Sequence, residues 1–405
     1  MTEGTVLLLS LKKNKFTLLL LSFVPYLFCA FFSQGFWHPD EHYQTLELIN
    51  LKSGSYVDEG IFNWDFHESI RSWFQPALYN VILTPFREFL SPFSQATILR
   101  LFNGVLGWLS LVLFFRTVFS KEKFLKYLLI SSYIWFVPYL FVRTSSESLS
   151  VSLFFIGASL FYRFSFLSGL IWGLSFLARY QMGIVLLCCN LYQLYIDKNL
   201  KRFIIHSLGI LAALVIGVAI DYWGYGELVF STVNYLVSNI IEGKASAFGT
   251  EPFWYYITKG VIKGIPPVSI ILMIGAFKYF KSRKHDIWIV AFLSFFIIHS
   301  IIPHKEIRFL TLNYIFLIFF CLKAFDSSLF KVSKVFKRVL IFTVAINAVC
   351  LMKVSFLPSK SILSLYEFVY ENDFKTIRVL SGEKGETFKF TMPFYQKREM
   401  LNMIW

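Results

Sequence analysis

Apolar runs long enough to cross a bilayer recur along the whole chain, and they decide its fold class. A transmembrane helix needs about 20 predominantly apolar residues, and about eleven segments approach that length. They are residues 16–35, 97–118, 127–142, 147–163, 165–178, 183–196, 203–220, 260–279, 287–302, 309–324 and 338–352. With a mean hydropathy of +0.59 and 16% charged residues, the chain is too apolar for a soluble domain. The sequence predicts an all-α polytopic membrane protein, with residues 76–95 as an interfacial or re-entrant piece.

Basic residues are concentrated in every second loop between these segments. They are Lys12, Lys13 and Lys15; Lys121, Lys123 and Lys126; Lys198, Lys201 and Arg202; Lys278, Lys281, Arg283 and Lys284; and Lys331, Lys334, Lys337 and Arg338. The positive-inside rule places these loops in the cytoplasm and the others on the opposite face. Topology therefore explains the net charge of +14, and no nucleic-acid partner is predicted.

The loop after the first apolar segment reads His38-Pro39-Asp40-Glu41-His42-Tyr43-Gln44. Ionisable groups at the mouth of a membrane span are rare unless they serve a pathway or a reaction. Partial dehydration raises the pKa of a carboxylate toward the working range of a general base. Because Asp40 and Glu41 are adjacent, at most one of them faces a given substrate atom. The alternative is a polar cap that keeps the loop out of the lipid.

A second charged motif, His304-Lys305-Glu306-Ile307-Arg308, lies between two late apolar segments on the same predicted face. If a helix begins here, His304 and Arg308 lie one turn apart on one face. A cationic cluster at a helix start suits a phosphate group. The alternative is a charged turn anchored by snorkelling side chains, although the positive-inside rule does not favour lysine and arginine on this side.

Further charged residues allow two readings. Arg143 and Glu147 either pair across one helical turn or belong to the site. Arg100, Arg163 and Arg179 are predicted to be bundle-packing or interface residues rather than catalytic ones. The sequence contains no Walker lysine motif, nucleophile elbow or His-Glu-x-x-His motif, so nucleotide-driven transport and zinc proteolysis have no support.

The motifs His38-Pro39-Asp40-Glu41 and His304-Lys305-Glu306-x-Arg308-Phe309 resemble the two signatures of the glycosyltransferase family 22 mannosyltransferases. These multi-pass enzymes build GPI anchors and lipid-linked oligosaccharides. Shorter matches lie between them: Trp64-Asp65, Arg71-Ser72, Arg143-Thr144, Asp221-x-x-x-Tyr225-Gly226 and Phe248-Gly249-Thr250-x-Pro252. The first loop is most similar to the branch that adds the third mannose of GPI anchors.

The resemblance implies a C-type glycosyltransferase fold that uses dolichyl phosphate mannose, inverts the sugar carbon and needs no metal or other cofactor. Asp40 is then the general base, with Glu41 as its alternate. The donor phosphate is predicted to bind His304, Lys305 and Arg308. The predicted substrate-positioning residues are His38, Gln44, Arg71, Arg143 and Glu306.

Residues 1–352 are predicted to form the transmembrane glycosyltransferase domain, and residues 353–405 a small soluble extracytoplasmic appendage with a strand pair at 376–380 and 388–392. A eukaryotic enzyme of this kind lies in the endoplasmic reticulum membrane with a lumenal site. A bacterial one lies in the cytoplasmic membrane with an external site and another polyprenyl phosphate. Three functions remain open: α-1,2 transfer to a GPI-type glycolipid, transfer of another polyprenyl-linked sugar or to a bacterial envelope glycan, and non-enzymatic transport of lipid-linked sugars.

Overall fold

The computed structural model describes residues 15–54, 64–283, 285–330, 333–372 and 391–396, and within these residues it is helical without strands. The α-helices are α1 (Lys15–Phe32), α2 (Glu47–Lys52), α3 (Trp64–His67), α4 (Phe74–Leu83), α5 (Pro92–Val118), α6 (Phe124–Ser132), α7 (Phe136–Val142), α8 (Ser146–Leu160), α9 (Ser165–Ala178), α10 (Met182–Asp197), α11 (Leu200–Tyr225), α12 (Ser231–Leu236), α13 (Tyr255–Lys263), α14 (Val268–Ser282), α15 (Ile287–Ile301), α16 (Thr311–Asp326), α17 (Lys334–Phe356) and α18 (Ile362–Glu371). Residues 376–380 and 388–390 of the predicted strand pair lie outside the described residues, as do Lys12, Lys13, Lys284 and Lys331, whereas Thr391 and Met392 are described and are not in a strand.

Each predicted apolar segment coincides with one of these helices or with a consecutive pair. Five of the described helices are long and apolar enough to cross a membrane, namely Lys15–Phe32, Pro92–Val118, Leu200–Tyr225, Ile307–Asp326 and Lys334–Phe356. The pair α6 and α7 makes a sixth if it counts as one span. Four further apolar helices, α8, α9, α10 and α15, are shorter. The stretch 76–95 contains most of α4, a 3₁₀ turn at Thr84–Phe86 and the first residues of α5.

The pair α6 and α7 bends by 79° at residues 133–135, where the backbone leaves the helical hydrogen-bond pattern. The side chain of Asn347 from α17 supplies the missing partners. Its Oδ1 accepts from the Trp135 N–H at 3.0 Å, and its Nδ2 donates to the Tyr133 carbonyl at 2.7 Å. Unpaired backbone groups are costly in a membrane, so this one amide allows the chain to bend between two apolar helices.

Glycines allow α9 and α11 to pack with their backbones in contact. A Cβ atom on Gly169 would lie 2.0 Å from the His206 carbonyl oxygen, and one on Gly173 would lie 2.4 Å from the Ala213 Cβ. Farther along, Leu177 packs on Gly217. The contacts advance in the same direction on both helices, so α9 and α11 run parallel. Close packing of this kind is a main source of helix association in membranes.

Replacement of Gly169 by alanine should therefore destabilise the protein. The added Cβ meets backbone rather than a flexible side chain, so the helices must separate, at about 1–3 kcal/mol. The unfolding midpoint in detergent measures the effect. Gly260→Ala in α13 is the control, because a Cβ there has nothing within 4 Å. A Gly169→Ala midpoint equal to that of wild type would contradict the packing described here.

Residues 391–396 return to the beginning of the chain. The Phe394 N–H donates to Oε1 of Glu47 at 3.1 Å, and the Tyr395 ring stacks on His42 with centroids 5.5 Å apart. Both aromatic side chains are buried. This turn therefore packs against the end of the first charged motif and against the residues that follow it.

Candidate active site

The first charged loop is held by its own glutamate. Glu41 is 2% exposed, and its Oε1 accepts the N–H groups of Trp37 and His38 at 3.0 and 3.2 Å. Burial raises the pKa of Glu41, despite the opposing charge of Arg143 and these two hydrogen bonds. The carboxyl group thus points into its own loop, and the structure places it apart from the cleft that Asp40 lines. Its position fits a loop-holding residue rather than an alternate base.

Asp40 lies in a network of charges. Its Oδ2 accepts from Nη2 of Arg308 at 2.7 Å, and its Oδ1 lies 3.3 Å from Nδ1 of His38. Burial acts to raise the pKa of Asp40, but the His38 hydrogen bond and the charges of Arg308 and Arg71 outweigh it and hold the pKa well below its usual range. This is the opposite of the predicted direction. The sequence places the carboxylate in a dehydrated loop but does not reveal how many cations converge on it.

The late motif is organised by Glu306 and not by a helix face. Glu306 is extended, with φ −127° and ψ 144°, and a 3₁₀ turn follows at Ile307–Leu310, so His304 and Arg308 are not one helical turn apart. The carboxylate instead joins them, since it accepts from Nε of Arg308 at 2.6 Å and lies 3.1 Å from Nε2 of His304. His38 Nε2 approaches it from the first loop at 3.4 Å. The two motifs therefore meet side by side.

Lys305, predicted to bind phosphate, has a different position. Its Nζ donates to the carbonyls of Ile302, Glu251 and Pro303 at 2.6, 2.9 and 3.4 Å. An ammonium group has three donors, so backbone carbonyls occupy its hydrogen-bonding capacity. The residue ties the 249–252 loop to the start of the late motif, and it is not in the network around Asp40.

Glu147 completes the network and corrects a predicted pairing. It does not pair with Arg143: its Oε1 lies 2.7 Å from Nη1 of Arg179 and 3.4 Å from Nη1 of Arg308. We call Asp40, His38, Glu306, His304, Arg308 and Glu147 the Asp40 cluster. Within it, Arg308 contacts three carboxylates at once, those of Asp40, Glu147 and Glu306.

Arg143, predicted to position substrate, lies away from this cluster. It is 1% exposed and donates to the carbonyls of Ser33 and Gly35 at 2.7 and 3.1 Å and to the Ser359 hydroxyl at 2.9 Å. Those carbonyls follow the end of α1, where the helix has no internal partners for them. The guanidinium therefore closes the end of α1 and joins it to residues after α17.

A cleft of about 520 Å³, open to the surface, lies beside the cluster. Its wall includes Asp40, Gln44, Arg71, Ser146, Arg179, Tyr180 and Gln181. Two predicted positioning residues, Gln44 and Arg71, meet there on Asp65, with Gln44 Nε2 and Arg71 Nε at 2.7 and 3.1 Å from its Oδ2. The structure thus brings together seven of the candidate site residues, namely Asp40, His38, Gln44, Arg71, His304, Glu306 and Arg308.

Sequence reasoning missed Asp65 and Arg179 as members of this site, and it left Glu147 open between the site and a pair with Arg143. Trp64-Asp65 was within the resemblance, which gave it no role. Arg179 had one usable signal: it ends an apolar helix on the face where the positive-inside rule does not favour arginine. Nothing in the sequence indicates that Glu147 pairs with a residue 32 positions later.

The end of α11 fixes the Arg71 segment. Asp221 accepts from the Trp73 N–H at 2.7 Å and from the Ser72 hydroxyl at 3.0 Å. The Tyr225 hydroxyl donates to the Arg71 carbonyl at 2.8 Å. These are the Asp and Tyr of the motif Asp221-x-x-x-Tyr225-Gly226, so its role here is to hold one wall of the cleft. Among the residues that the structure describes, no group of three His, Cys, Asp or Glu side chains is arranged to hold a metal ion.

Comparison with known proteins agrees with this geometry. The Alg9-like mannosyltransferase family matches residues 17–396. GPI mannosyltransferase 3 of Drosophila melanogaster is 26% identical over 299 residues, which are 70% of this chain and 51% of the relative. GPI mannosyltransferase 3 of Candida albicans is 26% identical over 326 residues, 76% of this chain and 63% of the relative. The chain spans about half the length of several curated relatives that it matches.

A solved structure, ArnT from Cupriavidus metallidurans bound to undecaprenyl phosphate, shares the fold. It has a TM-score of 0.56 at 16% identity and covers 86% of this chain and 64% of its own. ArnT has the C-type glycosyltransferase fold, as the two motifs predict for this chain. With the family match over nearly its whole length, the chain belongs to the Alg9-like mannosyltransferase family.

Proposed function

We propose that this membrane protein transfers mannose, with inversion, from a polyprenyl (dolichyl) phosphate donor to a hydroxyl of a glycolipid acceptor, making an α-1,2 link of the GPI-precursor type. The family match and the names of the relatives support the mannosyl group and the acceptor class. The observation that carries the proposal is an ionised Asp40 at the wall of an open cleft, with cationic side chains on either side of it.

The reaction is a single displacement that needs one base and a set of cations. The acceptor hydroxyl gives its proton to Asp40 while its oxygen bonds to the anomeric carbon of mannose. The bond from that carbon to the phosphate oxygen breaks, and the electron pair leaves with the phosphate. One carboxylate on the attacking side is sufficient, whereas a retaining mechanism needs a second one as a nucleophile about 5 Å away.

Of the three residues predicted to hold the donor phosphate, Arg308 is best placed. It lies beside Asp40, although all three of its nitrogens are within 3.4 Å of a carboxylate, so it must exchange a contact to take a phosphate oxygen. Within the Asp40 cluster, His304 contacts Glu306, whose Oε1 lies 3.1 Å from its Nε2. Lys305 would first have to release backbone carbonyls. His38, Gln44, Arg71 and Glu306 are proposed to position the substrates.

The proposal includes the membrane arrangement. In the proposed arrangement the chain has about eleven spans, and the charged motifs lie on the non-cytoplasmic face. The site is then in the lumen of the endoplasmic reticulum in a eukaryote, or outside the cytoplasmic membrane in a bacterium. Residues 1–352 form the catalytic domain and residues 353–405 an appendage, with helix α17 ending just past that boundary at Phe356.

The function is tested by mannose transfer in membranes that express the full chain. Radiolabelled dolichyl phosphate mannose is supplied with GPI-precursor and oligosaccharide-lipid acceptors, and one labelled glycolipid product of the GPI type is expected. A second candidate is transfer of another polyprenyl-linked sugar or to a bacterial envelope glycan, which the fold shared with the undecaprenyl phosphate-bound ArnT favours. If no GPI-precursor or oligosaccharide-lipid acceptor receives mannose, but undecaprenyl phosphate sugars give a product, the second proposal replaces the first.

The low pKa of Asp40 has a consequence for the pH dependence of transfer. A carboxylate whose pKa is lowered in the folded protein stays ionised through the neutral range, so kcat/KM should show no acid limb from Asp40 above about pH 4. In His38→Ala the carboxylate loses a hydrogen bond. Its pKa then rises, so the acid limb should lie at a higher pH than in wild type. A wild-type acid limb above about pH 4 that His38→Ala leaves in place would contradict this account.

A further inference from the structure

Arg179 is a buried cation at the cleft with two side-chain nitrogens that have no hydrogen-bond partner among the described residues. It is 7% exposed, and its Nη1 contacts Glu147 at 2.7 Å and the Ser146 hydroxyl at 3.3 Å. Among the described residues, neither its Nε nor its Nη2 has a hydrogen-bond partner. Buried donors without partners are rare in native proteins and call for an explanation, and a bound anion is one. A guanidinium also presents its donors as a rigid fork that matches phosphate oxygens.

The neighbouring cations are committed to other groups. Lys305 donates to backbone carbonyls, and Arg308 contacts three carboxylates. Arg71 donates through Nε to Asp65 at 3.1 Å. A phosphate that reached Lys305 or Arg308 would have to displace an existing contact. The Arg71 side chain is 34% exposed, so solvent can satisfy its remaining donors. Arg179 would keep its ion pair to Glu147 when it binds a phosphate, but Nε and Nη2 are covered by neighbouring atoms, so the wall of the cleft must shift to admit one.

The location of Arg179 also fits. Arg179 lines the same cleft as Asp40 and Arg71. Its guanidinium lies 4.9 Å from the centroid of the Phe309 ring, and that of Arg308 lies 5.2 Å from the same ring. It is held in place at the end of α9 by this stacking and by Glu147, so it loses little freedom when it binds an anion.

We propose that Nε and Nη2 of Arg179 bind the phosphate group of the lipid-linked donor and stabilise it as it leaves. The inference deepens the proposed function and rests on it for the identity of the donor. It shifts the main phosphate contact from the late motif to the residue that follows α9.

The test is the affinity of the purified full chain for dolichyl phosphate, which lacks the sugar, alongside the KM values for donor and acceptor. Arg179→Gln should weaken dolichyl phosphate binding about 10- to 100-fold and leave the KM for the acceptor nearly unchanged. Arg179→Lys keeps the charge but lacks the fork, and it should bind about 10-fold more weakly than wild type. If Arg179→Gln does not fold, Arg179→Lys decides.

Arg163→Gln is the matched control, because Arg163 is exposed at the opposite end of α9, about 20 Å away. It should bind dolichyl phosphate like wild type. Undiminished affinity in Arg179→Lys, or a loss confined to the acceptor, would overturn the inference. A wild-type protein that transfers no mannose, yet binds dolichyl phosphate in an Arg179-dependent way, would contradict the proposed function and support this inference.

Discussion

Replacing Asp40 by asparagine is expected to reduce mannose transfer by about 10³-fold, the scale on which general bases contribute to enzymatic rates. The amide cannot take the proton of the acceptor hydroxyl. It can still accept a hydrogen bond from Arg308, whose Nη2 lies 2.7 Å from Oδ2, so the protein should fold and insert as before. The measurement is initial rate in membranes, normalised to the amount of inserted protein.

Asp326→Asn is a close control for this change. The side chains of Asp40 and Asp326 are both 23% exposed and both form an ion pair, that of Asp326 with Lys123 at 2.6 Å. Asp326 lies at the end of α16, on the face predicted to be cytoplasmic. Its replacement should leave the transfer rate within about 2-fold of wild type. Equal activity of Asp40→Asn and wild type would exclude Asp40 as the base.

The second large effect is expected on stability, for Arg308→Gln. The Arg308 side chain is 9% exposed and contacts the carboxylates of Asp40, Glu147 and Glu306. Removing one partner from a buried ion pair costs about 3–5 kcal/mol, because the opposite charge stays buried without compensation. The free energy of unfolding in mixed detergent micelles should fall by that amount.

A double variant separates loss of charge pairing from loss of packing. Glu306→Gln added to Arg308→Gln removes one of the three carboxylates that lose their contact with Arg308, so it should restore part of the lost stability. It should not restore transfer, because Asp40 still lacks its cation. If the second substitution lowers stability further, the carboxylates are not the source of the Arg308→Gln defect.

The sequence predicts the helices and most of the site because both depend on local signals. The lengths of the apolar runs predict where the long apolar helices lie, and the two charged motifs identify Asp40 and Arg308. Which way a side chain points is a different matter. Lys305 is adjacent in sequence to the motif's other charges, yet it binds carbonyls of its own turn and of the 249–252 loop. Arg143 and Arg179 each follow an apolar helix on the predicted non-cytoplasmic face, but Arg143 binds the carbonyl of Ser33 at the end of α1 instead of joining the Asp40 cluster.

Contacts over long sequence distances were beyond the reach of the sequence. One of the two readings of Glu147 was a pair with Arg143, one turn away, but Glu147 binds Arg179 and Arg308. The Tyr395 ring stacks on His42, and no periodicity relates those two positions. The pKa of Asp40 was predicted with the wrong sign for the same reason, because one of the cations that lowers it, Arg308, is 268 positions later.

The hydrogen bond between the Tyr180 and Ser231 hydroxyls, at 2.6 Å, restricts how many times the chain can cross the membrane between these two residues. Two residues in contact share one side of a bilayer, so the chain must cross an even number of times between them. Leu200–Tyr225 is long enough for one crossing, and Met182–Asp197, although only 16 residues long, must then make the return.

Parity extends to the contact between Asp40 and Arg308. Eight predicted segments lie between them, an even number. If the bent pair α6 and α7 counts as one span, then α5, that pair and α11 alone would give an odd number. Short helices in this fold therefore have to count as crossings, and a length threshold undercounts them.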